Sequence, residues 1–367
     1  MVTPVQRHLD CGVHRRPDRP THFPLRLAIL AALLVFPLLL CPWGGIVRAA
    51  DSAPVRVAGA DYLGDMPTVI AEQEGLFERQ GLKVNVALHH TGSKNLGLLR
   101  AGEADFALMA LTPIVLDRLA DPSPGGPDDP VILASLVHST RLNHVVASAS
   151  GPVETPSDLV GRRVALRKGT KAEFVWWLFA HFNGFSPDAA ELVDYPVTRI
   201  ADALQDGEVD AAVLWEPWLS RLNESGGKTF RSFPGSNVHT AKWVLVTTRA
   251  AALEHPGRSE AVLAAYRDAI ALIDRAPEAA IATYARRADI AEDVLRRNWP
   301  KLDYQLNLEW SVLATLQQQM DWAMRTGRRR ASQSGGVLDL IDATALRSLD
   351  PAAVGIPEDP ADREVRP

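Results

Sequence analysis

One motif stands in this chain twice. Residues 99–113 read Leu-Arg-Ala-Gly-Glu-Ala-Asp-Phe-Ala-Leu-Met-Ala-Leu-Thr-Pro, and residues 204–218 read Leu-Gln-Asp-Gly-Glu-Val-Asp-Ala-Ala-Val-Leu-Trp-Glu-Pro-Trp, so Gly-Glu-x-Asp-x-Ala recurs 105 residues on. Each copy joins a helix end, a glycine stop and a short apolar run of the kind that forms a buried strand. A spacing of this size matches a small domain. The chain is therefore expected to build two similar lobes whose strand ends differ, Ala110-Leu111-Thr112 in one and Trp215-Glu216-Pro217 in the other, across a shared cleft.

The flanking pattern supports that reading. Val55–Ala60 predicts a strand, residues 61–65 a polar loop, and Pro67 suits the first turn of a helix over 68–79. Gly81 ends this helix; 82–88 predicts a second strand, 94–100 a helix stopped by Gly102, and 106–111 a third strand. The order repeats as a strand over 163–166, the turn Lys168-Gly169-Thr170, a helix over 172–182 and a strand over 191–195. Strands alternating with helices call for an α/β fold with a parallel sheet in each lobe. The β-rich runs 131–137 and 144–148 leave the first lobe and 242–248 returns to it, so two crossings form a hinge. Helical periodicity over 259–276, 277–288, 290–298 and 308–325 then packs on the first lobe. The expected organisation is a discontinuous first lobe of residues 51–145 and 245–350, a second lobe of 146–244, and a tail of 351–367.

Residues 1–50 read as an export segment, with five arginines ahead of the apolar run 27–41 and small residues, Val47 and Ala49, where a leader peptidase cuts. Lipidation at Cys41 and retention as a short membrane anchor are the alternative fates, although a span needs about twenty residues. Both cysteines, Cys11 and Cys41, precede the folded region, which leaves it without disulfide, thiol nucleophile or cysteine metal site. Six Arg against two Asp stand before residue 51, so the formal charge of −5 becomes −9 beyond it. That acidity argues against nucleic acid as a partner.

Several segments together resemble a known family. Residues 158–165 (Asp-Leu-Val-Gly-Arg-Arg-Val-Ala), Lys168-Gly169-Thr170, residues 203–212 and Trp215-Glu216-Pro217 are similar to the solute-binding proteins of ABC importers for nitrate, sulfonates, taurine and bicarbonate, as is Ala-Glu-Gln-Glu-Gly-Leu-Phe-Glu-Arg-Gln-Gly at 71–81. The resemblance spans roughly residues 55–327. It implies a type II periplasmic-binding-protein fold: two α/β lobes joined by a two-crossing hinge, no catalytic residues, no cofactor and no metal. It also implies an exported, periplasmic monomer that binds a small anionic or zwitterionic solute and meets an ABC permease and its ATPase. The same family holds thiamin pyrimidine-precursor binders and a synthase-like enzyme, which stand as the alternative. Such enzymes act inside the cell, so the export segment weighs against that alternative.

In open α/β sheets ligands sit beyond the carboxyl ends of the strands, where helix N-termini favour anions. The strand ends here supply Asp61 and Tyr62, then Thr91, Gly92 and Ser93, then Leu111 and Thr112, and in the second lobe Lys168, Gly169 and Thr170. Thr91-Gly92-Ser93 combines close backbone approach with hydroxyls, and the same residues also suit plain helix capping. Trp215 is read either as a stacking surface for the solute or as core. Glu216 opposes a pure anion if it faces the cleft. His138 is a further cleft candidate near the hinge. His89-His90 makes a poor metal pair, because neighbouring residues on a strand point to opposite faces. No nucleophile elbow and no phosphate loop is present.

Overall fold

The computed structural model describes residues 53–121, 125–224, 229–236, 238–328 and 336–357. Residues 1–52, which include the expected export segment with Cys11 and Cys41, and residues 358–367 lie outside the described residues.

Eleven described strands follow in chain order: β1 (Val55–Ala60), β2 (Val84–His89), β3 (Phe106–Ala110), β4 (Pro130–Ser139), β5 (Asn143–Ser148), β6 (Arg163–Leu166), β7 (Glu191–Asp194), β8 (Ala211–Trp215), β9 (Phe230–Ser232), β10 (Ala241–Thr248) and β11 (Asp303–Asn307). They form two sheets, ordered β11-β4-β10-β3-β1-β2 and β7-β6-β8-β5-β9. Only the cores are parallel: β1 pairs in parallel with β2 and β3, and β6 with β7 and β8. Against these lie antiparallel strands, with β10 on β3 and β5 on β8. The expectation of wholly parallel sheets is thus corrected. β10 comes in from the opposite direction because it returns from the second sheet, and β5 runs antiparallel because it has just left the first. The chain passes between sheets after Ser139 and again between Ser232 and Ala241.

Thirteen described α-helices connect and cover the sheets: α1 (Met66–Gln73), α2 (Leu76–Arg79), α3 (Gly92–Arg100), α4 (Leu111–Ala120), α5 (Lys171–Phe182), α6 (Val197–Gln205), α7 (Trp218–Glu224), α8 (Arg249–Glu254), α9 (Pro256–Arg275), α10 (Pro277–Ala288), α11 (Glu292–Asn298), α12 (Trp310–Arg325) and α13 (Thr344–Leu349). The single helix expected over 68–79 is two, because Gly75 adopts φ +64 between them. The third strand stops at Ala110, and Leu111 and Thr112 open α4 instead, with Pro113 in its first turn. An apolar strand running straight into an apolar helix offers no polar break to read.

Trp176 is core, its indole N–H donating to Pro187 O at 3.0 Å, whereas its neighbour Trp177 is half-buried and faces Arg325 of α12 at 5.3 Å. The start of α5 meets α12 through Phe174 and Trp322, whose ring centroids lie 5.2 Å apart, and through the Arg328–Glu173 ion pair. These contacts bring the first turn of α5 against the first sheet's helices. That turn carries the site.

Candidate functional site

A narrow cleft, with a free volume of only about 20 Å³, lies between the two sheets at their strand ends. The first sheet's side contributes Tyr62, Thr91, Gly92, Ala110 and Pro113; the second contributes Thr170, Lys171 and Trp215, and Trp243 of β10 closes the floor. A larger hollow beside Arg249 and Arg347 shares no lining residue with this cleft and mixes charges of both signs.

Lys171, the first residue of α5, is the chemical centre of this cleft. It is only 5% exposed, and its Nζ has neither a hydrogen-bond partner nor an ion pair among the described residues. The ammonium instead lies over the Trp243 ring at 4.3 Å and the Trp215 ring at 5.8 Å. Ring faces attract cations. They do not replace hydration, however, and burial alone lowers the Lys171 pKa to about 7, with no carboxylate to offset it. The α5 N-terminus adds positive potential at the same place. A buried cation lacking a counter-charge is costly to the protein and fits an anionic guest.

The surroundings fix this arrangement. Trp243 packs flat on Gly64, where a Cβ would come within 2.4–2.6 Å of the indole. The loop bearing Gly64 and Tyr62 is pinned by Asp65, which is fully buried and accepts from Ala60 N at 2.5 Å and from the Thr68 hydroxyl. Burial holds the Asp65 carboxyl well above the usual range. Tyr284 donates its hydroxyl to Tyr62 O at 2.7 Å. On the same side of the cleft, Asn95 donates to Gly59 O at 3.0 Å and Leu108 O at 2.8 Å, seating α3 over the ends of β1 and β3.

Of the thirteen residues expected from sequence, the cleft gathers Tyr62, Thr91, Gly92, Thr170 and Trp215. Thr91 also caps α3, accepting from Lys94 N at 3.3 Å, and Ser93 donates to Thr91 Oγ1 at 3.2 Å rather than lining the cleft. Thr170 caps α5, accepting from Ala172 N, and donates to Arg167 O at 2.7 Å. Gly92 sits against Met109, whose Cβ would be 2.6 Å from any added Cβ, so a side chain there disturbs packing before it meets a ligand. Leu111 and Thr112 are buried in α4. Lys168 is exposed, with its backbone N–H donating to Asp194, while Gly169 donates to Glu173 at 2.5 Å. Asp61 meets His90 at 2.5 Å. His138 bonds Ser135 on β4 at 2.9 Å, away from the cleft lining. Glu216 is buried and accepts from Ser220 N at 3.1 Å and Ser220 Oγ at 2.8 Å, so its carboxylate serves the first turns of α7.

Lys171 and Trp243 escape the sequence reading. The turn Lys168-Gly169-Thr170 draws attention to Lys168, which is not among the cleft-lining residues, and Trp243 reads only as part of a β run. The available signal was Lys at the first helical turn, an unusual place for a cation because it faces the positive end of the dipole. Among the described residues no group of three or more His, Cys, Asp or Glu is arranged to hold a metal ion. Nor is any helix there long and apolar enough to cross a membrane.

Comparison with known proteins adds to this geometry. A family model described as NMT1/THI5 like matches residues 65–280. A Brucella abortus (strain 2308) protein named as a binding protein is 27% identical over 179 residues, covering 48% of this chain and 53% of the relative, so the chain spans about half the length of the first curated relatives it matches. A Bacillus subtilis (strain 168) protein named for aliphatic sulfonate binding is 22% identical over 290 residues, 77% of this chain and 84% of the relative. The structure of the periplasmic aliphatic sulphonate binding protein SsuA from Escherichia coli aligns with a TM-score of 0.62 at 20% identity, covering 75% of this chain and 92% of that one. This likeness fixes the fold as that of the periplasmic binding proteins, the α/β architecture the sequence implies.

Proposed function

The chain belongs to the NMT1/THI5-like family, and on that premise we propose that it is an exported solute receptor that takes a small organic anion of the sulfonate class into the cleft between its sheets. The single observation carrying this reading is Lys171, a buried ammonium with no acidic partner in the described protein. An anion entering between Trp215 and Trp243 restores the missing counter-charge, and the indoles supply apolar area for an alkyl body. Relatives named for binding sulfonates support the ligand class.

The lining contains no carboxylate, since Glu216 is committed to α7. An ammonium-bearing zwitterion such as taurine then meets Lys171 without compensation, so simple alkanesulfonates bind more tightly than taurine. A neutral pyrimidine precursor, or a synthase-like reaction on one, leaves the lysine's charge unanswered. Closure about the two connections between the sheets removes the anion from water, and it proceeds only as far as the solute prefers the closed form. The closed monomer docks on an ABC permease with its ATPase, outside the cytoplasmic membrane. No catalytic step is needed.

Isothermal calorimetry with ethanesulfonate, taurine, nitrate, bicarbonate and a hydroxymethylpyrimidine tests the proposal. Heat from the sulfonates, with ethanesulfonate ahead of taurine, is the expected result. Heat from the pyrimidine alone, or from none of the five, overturns it.

A further inference from the structure

A second hollow adjoins the cleft. It is an open hollow of about 360 Å³ between the end of β2 and the start of α3 on one side and Arg167, Val197 and Thr198 on the other. Thr91 borders both hollows. The charged and titratable lining of this second chamber consists of His89, His90, Lys94 and Arg167, with no carboxylate. On a chain that is net acidic beyond residue 50, such a lining is a local reversal of sign.

These groups are not equally free. Arg167 bridges Asp194 at 3.0 Å, and His90 Nδ1 meets Asp61 at 2.5 Å while its ring packs edge-on against Trp218 at 5.6 Å. Lys94 makes no ion pair among the described residues, and the Nε2 atom of His89 is buried there without a hydrogen-bond partner. Burial, with Lys94 nearby, holds the His89 imidazole below its ordinary range. A cation without an ion pair thus borders the chamber, and an unused ring nitrogen lies buried in the residue beside it, one side chain away from the cleft that holds Lys171.

We propose that the solute is two-ended, with one anionic group at Lys171 between the indoles and a second reaching past Thr91 to Lys94 and His89 in the adjoining chamber. The ligand class is a short-chain organic dianion, such as an α,ω-disulfonate or a sulfocarboxylate. The inference rests on the anion reading of Lys171 and adds the second group to it.

Calorimetry at pH 7 and about 0.15 M ionic strength, where fields beyond ~8 Å are screened, separates the two ideas. The probes are propane-1-sulfonate and butane-1-sulfonate against propane-1,3-disulfonate and butane-1,4-disulfonate. At least one disulfonate is expected to bind roughly tenfold or more tightly than its monosulfonate, the gain of a second charged hydrogen bond. Lys94→Gln should shrink that ratio to within about twofold, and Lys94→Arg should restore most of it, as a contact with the second charge requires. Monosulfonates that bind while no disulfonate binds more tightly overturn the two-ended solute alone. Equal weakening of both probes by Lys94→Gln also overturns it, since a diffuse field acts on either anion. If neither class of probe binds, the Lys171 reading fails and this inference falls with it.

Discussion

Lys171 Nζ lies 4.3 Å from the centre of the Trp243 ring, and the two side chains reach this contact from different parts of the fold, one at the start of α5 and the other on the returning strand β10. The contact exists only where the two sheets face each other. It gives the cleft its charge and its apolar wall together, and four of the predictions below concern how that pair is held, charged or flanked.

Replacing Lys171 with Met keeps the length of the side chain and removes the charge. Loss of a charged hydrogen bond, about 1.5–3 kcal/mol, should weaken sulfonate binding by roughly 10- to 150-fold. The apo protein should become more stable, because a desolvated ammonium without a partner is gone; each 1 kcal/mol is worth about 2–4 °C in melting temperature for domains of somewhat smaller size. Calorimetry and thermal unfolding of the same preparation read both. A variant that binds as before and melts lower contradicts the assignment.

Protonation of Lys171 sets the pH dependence. Burial depresses its folded-state pKa from 10.5 to about 7. Below about 7 both folded and unfolded chains hold the proton, and the full penalty of the buried charge is present. Between about 7 and 10.5 the unfolded chain keeps the proton and the folded one releases it, so apo stability gains with rising pH relative to Lys171→Met. Binding runs the other way, because the anion needs the ammonium: affinity is flat below about 7 and falls by up to about tenfold per pH unit above it. Titrations from pH 6 to 9 in buffers of different ionisation enthalpy should show proton uptake on binding that vanishes in Lys171→Met.

Gly64→Ala places a methyl group 2.4–2.6 Å from the Trp243 indole, so the ring has to move. Overpacking of this kind costs about 1–3 kcal/mol. The shifted ring no longer lies under Lys171, and sulfonate affinity should fall along with a change in the near-ultraviolet tryptophan signal. Unaltered spectrum and affinity together would show that the ring's position is not set by this glycine.

Trp215 is both wall and core, since it borders the cleft and is only 5% exposed. Trp215→Ala should therefore lose affinity and also about 3–5 kcal/mol of stability, the range for buried aromatic truncation. Denaturant unfolding beside a binding titration reads the two losses. Weakened binding at unchanged stability would mean that the indole faces the ligand without supporting the core.

Glu216→Gln retains an oxygen able to accept from Ser220 and removes the charge. Sulfonate affinity should stay within about twofold, because the carboxylate serves α7 and not the cleft. A tenfold gain for sulfonates, or a loss confined to amine-bearing solutes, would place the carboxylate in the ligand's field.

Much of the architecture was legible because it is written locally. Gly-Glu-x-Asp-x-Ala marks the strands β3 and β8, Pro277–Ala288 and Arg163–Leu166 stand where periodicity puts them, and Thr91 sits at its helix cap. Harder to read were features decided by partners far along the chain. The antiparallel entry of β10 depends on the return crossing, and α4 hides in an apolar run that continues β3. The site divides in the same way: the backbone turns were visible, whereas the choice of Lys171 over Lys168 follows from where Trp243 and Gly64 come to rest. Glu216 looked like a cleft acid because its neighbour Trp215 is a cleft residue, yet its oxygens turn to Ser220, four residues on.

The most direct test of the central claim is a crystal structure of the protein with ethanesulfonate. The account predicts the sulfonate between Trp215 and Trp243 with an oxygen about 2.7–2.9 Å from Lys171 Nζ, the distance of a charge-assisted hydrogen bond. A sulfonate bound elsewhere, or one in the cleft with its oxygens turned away from Lys171, would contradict it.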